Sequence, residues 1–71
     1  MTTSQHFERV AMPYIRAIRN QAKHDYALAY YVALVNHQGP PSVPTTLSCM
    51  GAQAVRLRLR ELARRAGFDA W

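Results

Sequence analysis

Apolar positions along this chain fall into blocks of different period. Tyr14, Ile15, Ile18 and Ala22 recur at helical spacing, with Arg16, Arg19, Asn20 and Lys23 on the opposite face. From Tyr26 to Val35 the side chains are apolar all round, and a helix of that kind is buried all round. No breaker appears between Pro13 and Gln38, so the pattern predicts one long helix over about 13–38. Upstream, Thr2 and Gln5 have capping-box spacing, and Glu8 lies where a helix dipole favours an anion. Inside a helix Pro13 would remove the bond to the Arg9 carbonyl, at about 3 kcal/mol. The expectation there is a short helix over 4–11, ended or kinked before the proline.

Three of the four prolines fall in Gly39-Pro40-Pro41-Ser42-Val43-Pro44-Thr45-Thr46. Gly39 suits the left-handed position past a helix end, and the prolines hold the connection over 39–46 extended. Beyond it, Val55-Arg56-Leu57-Arg58-Leu59-Arg60 alternates with the period of a strand. The residues that follow break that alternation. Val55, Leu59, Leu62 and Ala66 share one helical face, Glu61 precedes Arg65 by four, and Gly67 is a natural stop. The pattern therefore predicts a helix over about 50–66, with Phe68 folding back on Leu62 or Ala63. Residues 45–49 are its first turn or a separate short helix. The expected fold is all-α: a helical hairpin in a single domain of 71 residues.

Such a chain has little core. Below about 70–80 residues one core rarely supplies more than roughly 3–5 kcal/mol. Cys49 is the only cysteine, so no internal disulfide helps. Leu57 falls off the core face. Both points lead to a homodimer, with Tyr26, Tyr30, Tyr31, Leu34 and Leu57 as its interface or that of another partner. Tyrosine offers large contact area at small entropic cost, and it also fills cores. Tyr30, seven residues after Lys23 on the same face, is the one expected to reach a partner.

Charge adds the candidate chemistry. Lys and Arg number 9 against 4 Asp and Glu, a net charge of +5. Arg56, Arg58, Arg60, Arg64 and Arg65 crowd one stretch relieved only by Glu61. Arg56, Arg60 and Arg64 form an i, i+4, i+8 stripe of repelling charges. A guanidinium grips phosphate or guanine with two bonds. The stripe is either a solvated face, a nucleic-acid contact, or a surface for an acidic protein. The basic 13–23 segment could also lie on anionic lipid, although the apolar stretch after it argues for a protein core.

Val55-x3-Leu59-x2-Leu62-x4-Gly67-Phe68 resembles the recognition helix of winged helix-turn-helix regulators, with its closing glycine and hydrophobe. Residues 26–38 resemble the helix that backs such a motif, and Ser42 to Cys49 stands at its short second helix. The resemblance covers about 26–68 and lacks the wing. It implies DNA binding with the recognition helix in the major groove. Gln53, Arg56, Arg60 and Arg64 would then touch the duplex, with Arg16, Arg19 and Lys23 adding backbone contacts. In format the chain also resembles small phage-encoded inhibitors that bind a host regulatory protein, which implies partner docking through the tyrosines and stranded apolar residues.

Other chemistry is poorly provided for. His6, His24, His37 and Cys49 lack the short paired spacing of a zinc site, so neither metal nor cofactor is expected. Cys49 reads as a small buried residue or a free thiol. No phosphate loop, nucleophile elbow or useful carboxylate pair occurs, and four acids are few for general acid–base work, so the expectation is binding, not catalysis. The longest apolar run is half of the roughly 20 residues a membrane span needs. The lone cysteine and the absence of a signal-peptide pattern lead to a cytoplasmic expectation. The final residues to Trp71 are expected to anchor the end of the bundle.

Overall fold

A computed structural model describes residues 2–69; the expected anchoring by Trp71 lies outside them. The molecule is all-α, with α1 at Thr3–Ala17, α2 at Gln21–Val35 and α3 at Cys49–Arg65. None of these helices is long and apolar enough to cross a membrane.

Each start is set by a side-chain cap. Thr2 accepts from the Gln5 amide while the Gln5 side chain accepts from the Thr2 amide, which completes the capping box. Asn20 Oδ1 accepts from the Lys23 amide at 3.0 Å, and Ser48 Oγ from the Gly51 amide at 3.0 Å. Asn20 is what divides the predicted 13–38 helix in two. Its carboxamide caps a new helix where a simple polar face was expected, and Ile18 ends the one before with an extended backbone.

The predicted break at Pro13 does not occur. α1 runs through it, replacing the short helix over 4–11. Phe7 and Ala11 before the proline and Ile15 after it are all buried on one face, while Pro13 itself faces solvent. Burial of those side chains, at about 1.5–3 kcal/mol each for the larger ones, outweighs the missing bond.

The C-terminal ends of α2 and α3 close alike. His37 at φ 56° and Gly67 at φ 75° take the left-handed position. The amides behind them reach back, Gln38 N to Ala33 O at 2.9 Å and Phe68 N to Ala63 O at 2.8 Å. Gly39, expected in that role after α2, is two residues too late for it. The imidazole of His37 stacks on Phe68, with centroids 5.7 Å apart.

Those rings also reveal the topology. Phe7, near the start of α1, packs on Tyr31 at 5.1 Å and on Phe68 at 5.2 Å. α1 and α2 are joined by only residues 18–20, so they form an antiparallel pair. The start of α1 also meets the end of α3, so α1 opposes both partners and α2 and α3 point the same way. The hairpin of the structure is thus α1–α2. A parallel neighbour needs a return path. The 17 residues of α3 occupy about 25 Å at 1.5 Å each. Residues 36–48 can stretch over roughly 43 Å at about 3.3 Å each. The prolines serve that return. Residues 45–46 make a turn closed by Leu47 N to Pro44 O at 3.1 Å, and no helix forms before Cys49. Leu47 packs on the core across Gly51, where an added Cβ would lie only 3.1 Å from its Cδ1.

The core joins Phe7, Ala11 and Ile15 with Tyr26, Ala27, Tyr30, Ala33 and Leu34, and with Ala52, Val55, Leu59, Leu62 and Ala63. Within it the Tyr26 hydroxyl has no hydrogen-bond partner among the described residues.

Candidate nucleic-acid interface

Helical spacing and one acid sort the arginines of α3 into two sets. Glu61 Oε1 lies 2.9 Å from Arg65 and 3.4 Å from Arg58, so a single carboxylate holds two guanidiniums. Arg56, Arg60 and Arg64 form no ion pair among the described residues. Arg56 is half-buried, and Arg60 and Arg64 face solvent.

These three and Gln53 follow one edge of the helix. A depression of about 370 Å³ is lined by Tyr30, Pro40, Gln53, Arg56, Leu57 and Arg60. A larger one of about 890 Å³ is lined by Leu57, Arg60, Glu61, Arg64, Gly67, Phe68 and Asp69. Leu57 and Arg60 line both, so the two depressions adjoin along α3 as an open, two-part channel. The returning connection supplies one wall through Pro40. The structure therefore brings together Gln53, Arg56, Arg60 and Arg64.

Tyr30, almost wholly buried, lines the smaller depression. Burial pushes its phenol above the ordinary value near 10, while Arg60 and Arg56 pull it back and Tyr26 adds to the rise. The guanidiniums thus lie near the phenol. Burial raises Tyr14 as well, against Arg58, and raises Tyr31, reinforced by Glu8.

The remaining candidates fall elsewhere. Arg16 and Arg19 are exposed at the end of α1 and in the turn after it, and Lys23 is half-buried in the first turn of α2. None of the three lines the channel. Tyr26, Tyr30 and Leu34 are 3%, 1% and 0% exposed and belong to the chain's own core, which corrects their assignment to an interface. Tyr31 is half-buried against Phe7. Leu57 is 59% exposed, as its place off the core face predicts. Cys49 is exposed rather than buried.

Two positions escaped the pattern. Met50, 84% exposed, stands seven residues before Leu57 on the same outward face, a spacing visible in the sequence. Phe68, which the pattern marks only as a helix-end contact, also lines the larger depression. Among the described residues no three of His, Cys, Asp and Glu come together as a metal ion would require. Ser42 to Cys49, matched to a second helix in the helix-turn-helix resemblance, is non-helical up to Ser48. No protein-family model, curated protein or solved structure matches this chain.

Proposed function

We propose that the chain is a small DNA-binding regulator that engages duplex phosphates, and base edges within reach, through the outward edge of α3. One observation carries this reading: Gln53, Arg56, Arg60 and Arg64 line two adjoining depressions along one edge of α3, and none of these three arginines is neutralised by an ion pair among the described residues. Phosphate oxygens are the acceptors such planar, permanently charged groups fit best. Most of the affinity would be electrostatic, so it would fall steeply with salt. Arg64 and Arg60 would grip backbone, and Gln53, one helical turn into α3, would be placed to read a base edge. Arg16, Arg19 and Lys23 would contribute only to the general field.

The test is titration of labelled duplex with the protein at low salt, against Arg60→Gln with Arg64→Gln. Retardation that the double variant weakens at least tenfold supports the reading. No binding by the wild-type chain rejects it.

A second reading rests on Met50 and Leu57, two large apolar side chains exposed beside the arginines. An acidic protein surface with an apolar centre, such as that of a host regulatory protein, would match that combination better than a duplex would. It predicts that Leu57→Asp abolishes partner capture while duplex binding is absent.

A further inference from the structure

The exposed side of α2 differs from those of the other two helices. Its solvent-facing residues are Gln21, Asp25, Leu28, Ala29 and Val32, without a single cation. α1 exposes Arg9 and Arg16 against the single acid Glu8, and α3 exposes Arg58, Arg60, Arg64 and Arg65. Leu28 and Val32, 39% and 43% exposed, lie one turn apart with the small Ala29 beside them.

We infer that this face of α2 seats a second copy of the chain. The argument is one of charge. Two molecules that each carry +5 repel when they meet through α1 or α3. On α2 the exposed charge is the single Asp25, so two copies approach there without opposing cations. An antiparallel two-fold pairing sets Leu28 against the partner's Val32, and the reverse, while the helix dipoles oppose. Ala29 lets the backbones come close, within the about 8–10 Å of ordinary helix packing. The seam lies in the apolar 26–35 segment but on the side away from Tyr26, Tyr30 and Leu34, which the chain's own core consumes. One helix pair is small beside the roughly 1,000 Å² expected of a stable interface, so the association is weak and depends on concentration. It is independent of the DNA reading and leaves α3 uncovered.

Sedimentation equilibrium from about 10 μM to about 1 mM tests the inference, a range that brackets weak association. The expected result is a weight-average mass that climbs from one chain toward two, and climbs further with added salt, which screens the net repulsion of the two copies. Val32→Asp, which places two carboxylates in the seam, should hold the mass at one chain, and Leu57→Asp on α3 should not. Circular dichroism checks that both variants keep their helices; Ala29→Arg, also at an exposed site, replaces Val32→Asp if that variant unfolds. A single-chain mass throughout the range, or a climb removed by Leu57→Asp and kept in Val32→Asp, overturns the assignment.

Discussion

Glu61 is the brake on the proposed DNA contact, and removing its charge should strengthen binding. The carboxylate holds Arg58 and Arg65 at 3.4 and 2.9 Å. In the wild-type chain three guanidiniums of α3 lack an acid among the described residues. At about 0.9 per neutralised phosphate, they give a slope of roughly −2.7 for log affinity against log salt. Glu61→Gln frees two more, and five give roughly −4.5. Between about 50 and about 200 mM salt the wild-type chain should lose roughly 40-fold in affinity and the variant roughly 500-fold. At the low-salt end the variant should bind more tightly. The cost to the fold is small, because exposed pairs three and four residues apart contribute only about 0.3–0.5 kcal/mol each. Fluorescence anisotropy with a labelled duplex across that salt series reads both slopes. An unchanged slope in Glu61→Gln, alongside a shallower one in Arg60→Gln, would refute the sorting of arginines by their acid partner.

Other expectations concern the fold. Gly67→Ala forces a side chain into the left-handed region at φ 75°, and thermal melts should show a loss of about 1 kcal/mol. Tyr26→Phe deletes a buried hydroxyl without a partner among the described residues, so stability should hold or rise by up to about 1 kcal/mol; a clear loss in urea titration would reveal a partner for that oxygen. Leu34→Ala empties a fully buried site, and the about 2–5 kcal/mol it costs should leave much of so small a protein unfolded at room temperature. The phenols of Tyr14, Tyr30 and Tyr31 are raised in the fold, so the unfolded chain releases those protons first as pH climbs. Stability they contribute is whole below about pH 10 and declines above it, which denaturant titrations through the alkaline range should show.

How far the sequence carries depends on the element. α3 is legible nearly to the residue, because Val55, Leu59 and Leu62 repeat on one face and Gly67 closes it. Its arginine edge is legible for the same reason, since spacing alone puts Arg56, Arg60 and Arg64 together. The division between α1 and α2 is not. Pro13 is the strongest local breaker, but tertiary burial of Phe7, Ala11 and Ile15 overrides it, whereas Asn20 acts through a single capping bond. Burial along 26–35 is hidden too. A segment apolar on every side carries no mark of which side meets the core. Only the positions of α1 and α3 decide that Tyr30 goes in and Val32 stays out.

The same-direction course of α2 and α3 has a kinetic corollary. The first two helices contact each other across a three-residue turn, so that unit can assemble from neighbours in the sequence. α3 must instead dock from a distance after the proline strap has doubled back. Local closure precedes distant closure, so the arginine helix should be the last piece to be seated. A protease nick in the strap would leave two fragments whose reassociation, a bimolecular step, reads out the free energy that holds α3 in place.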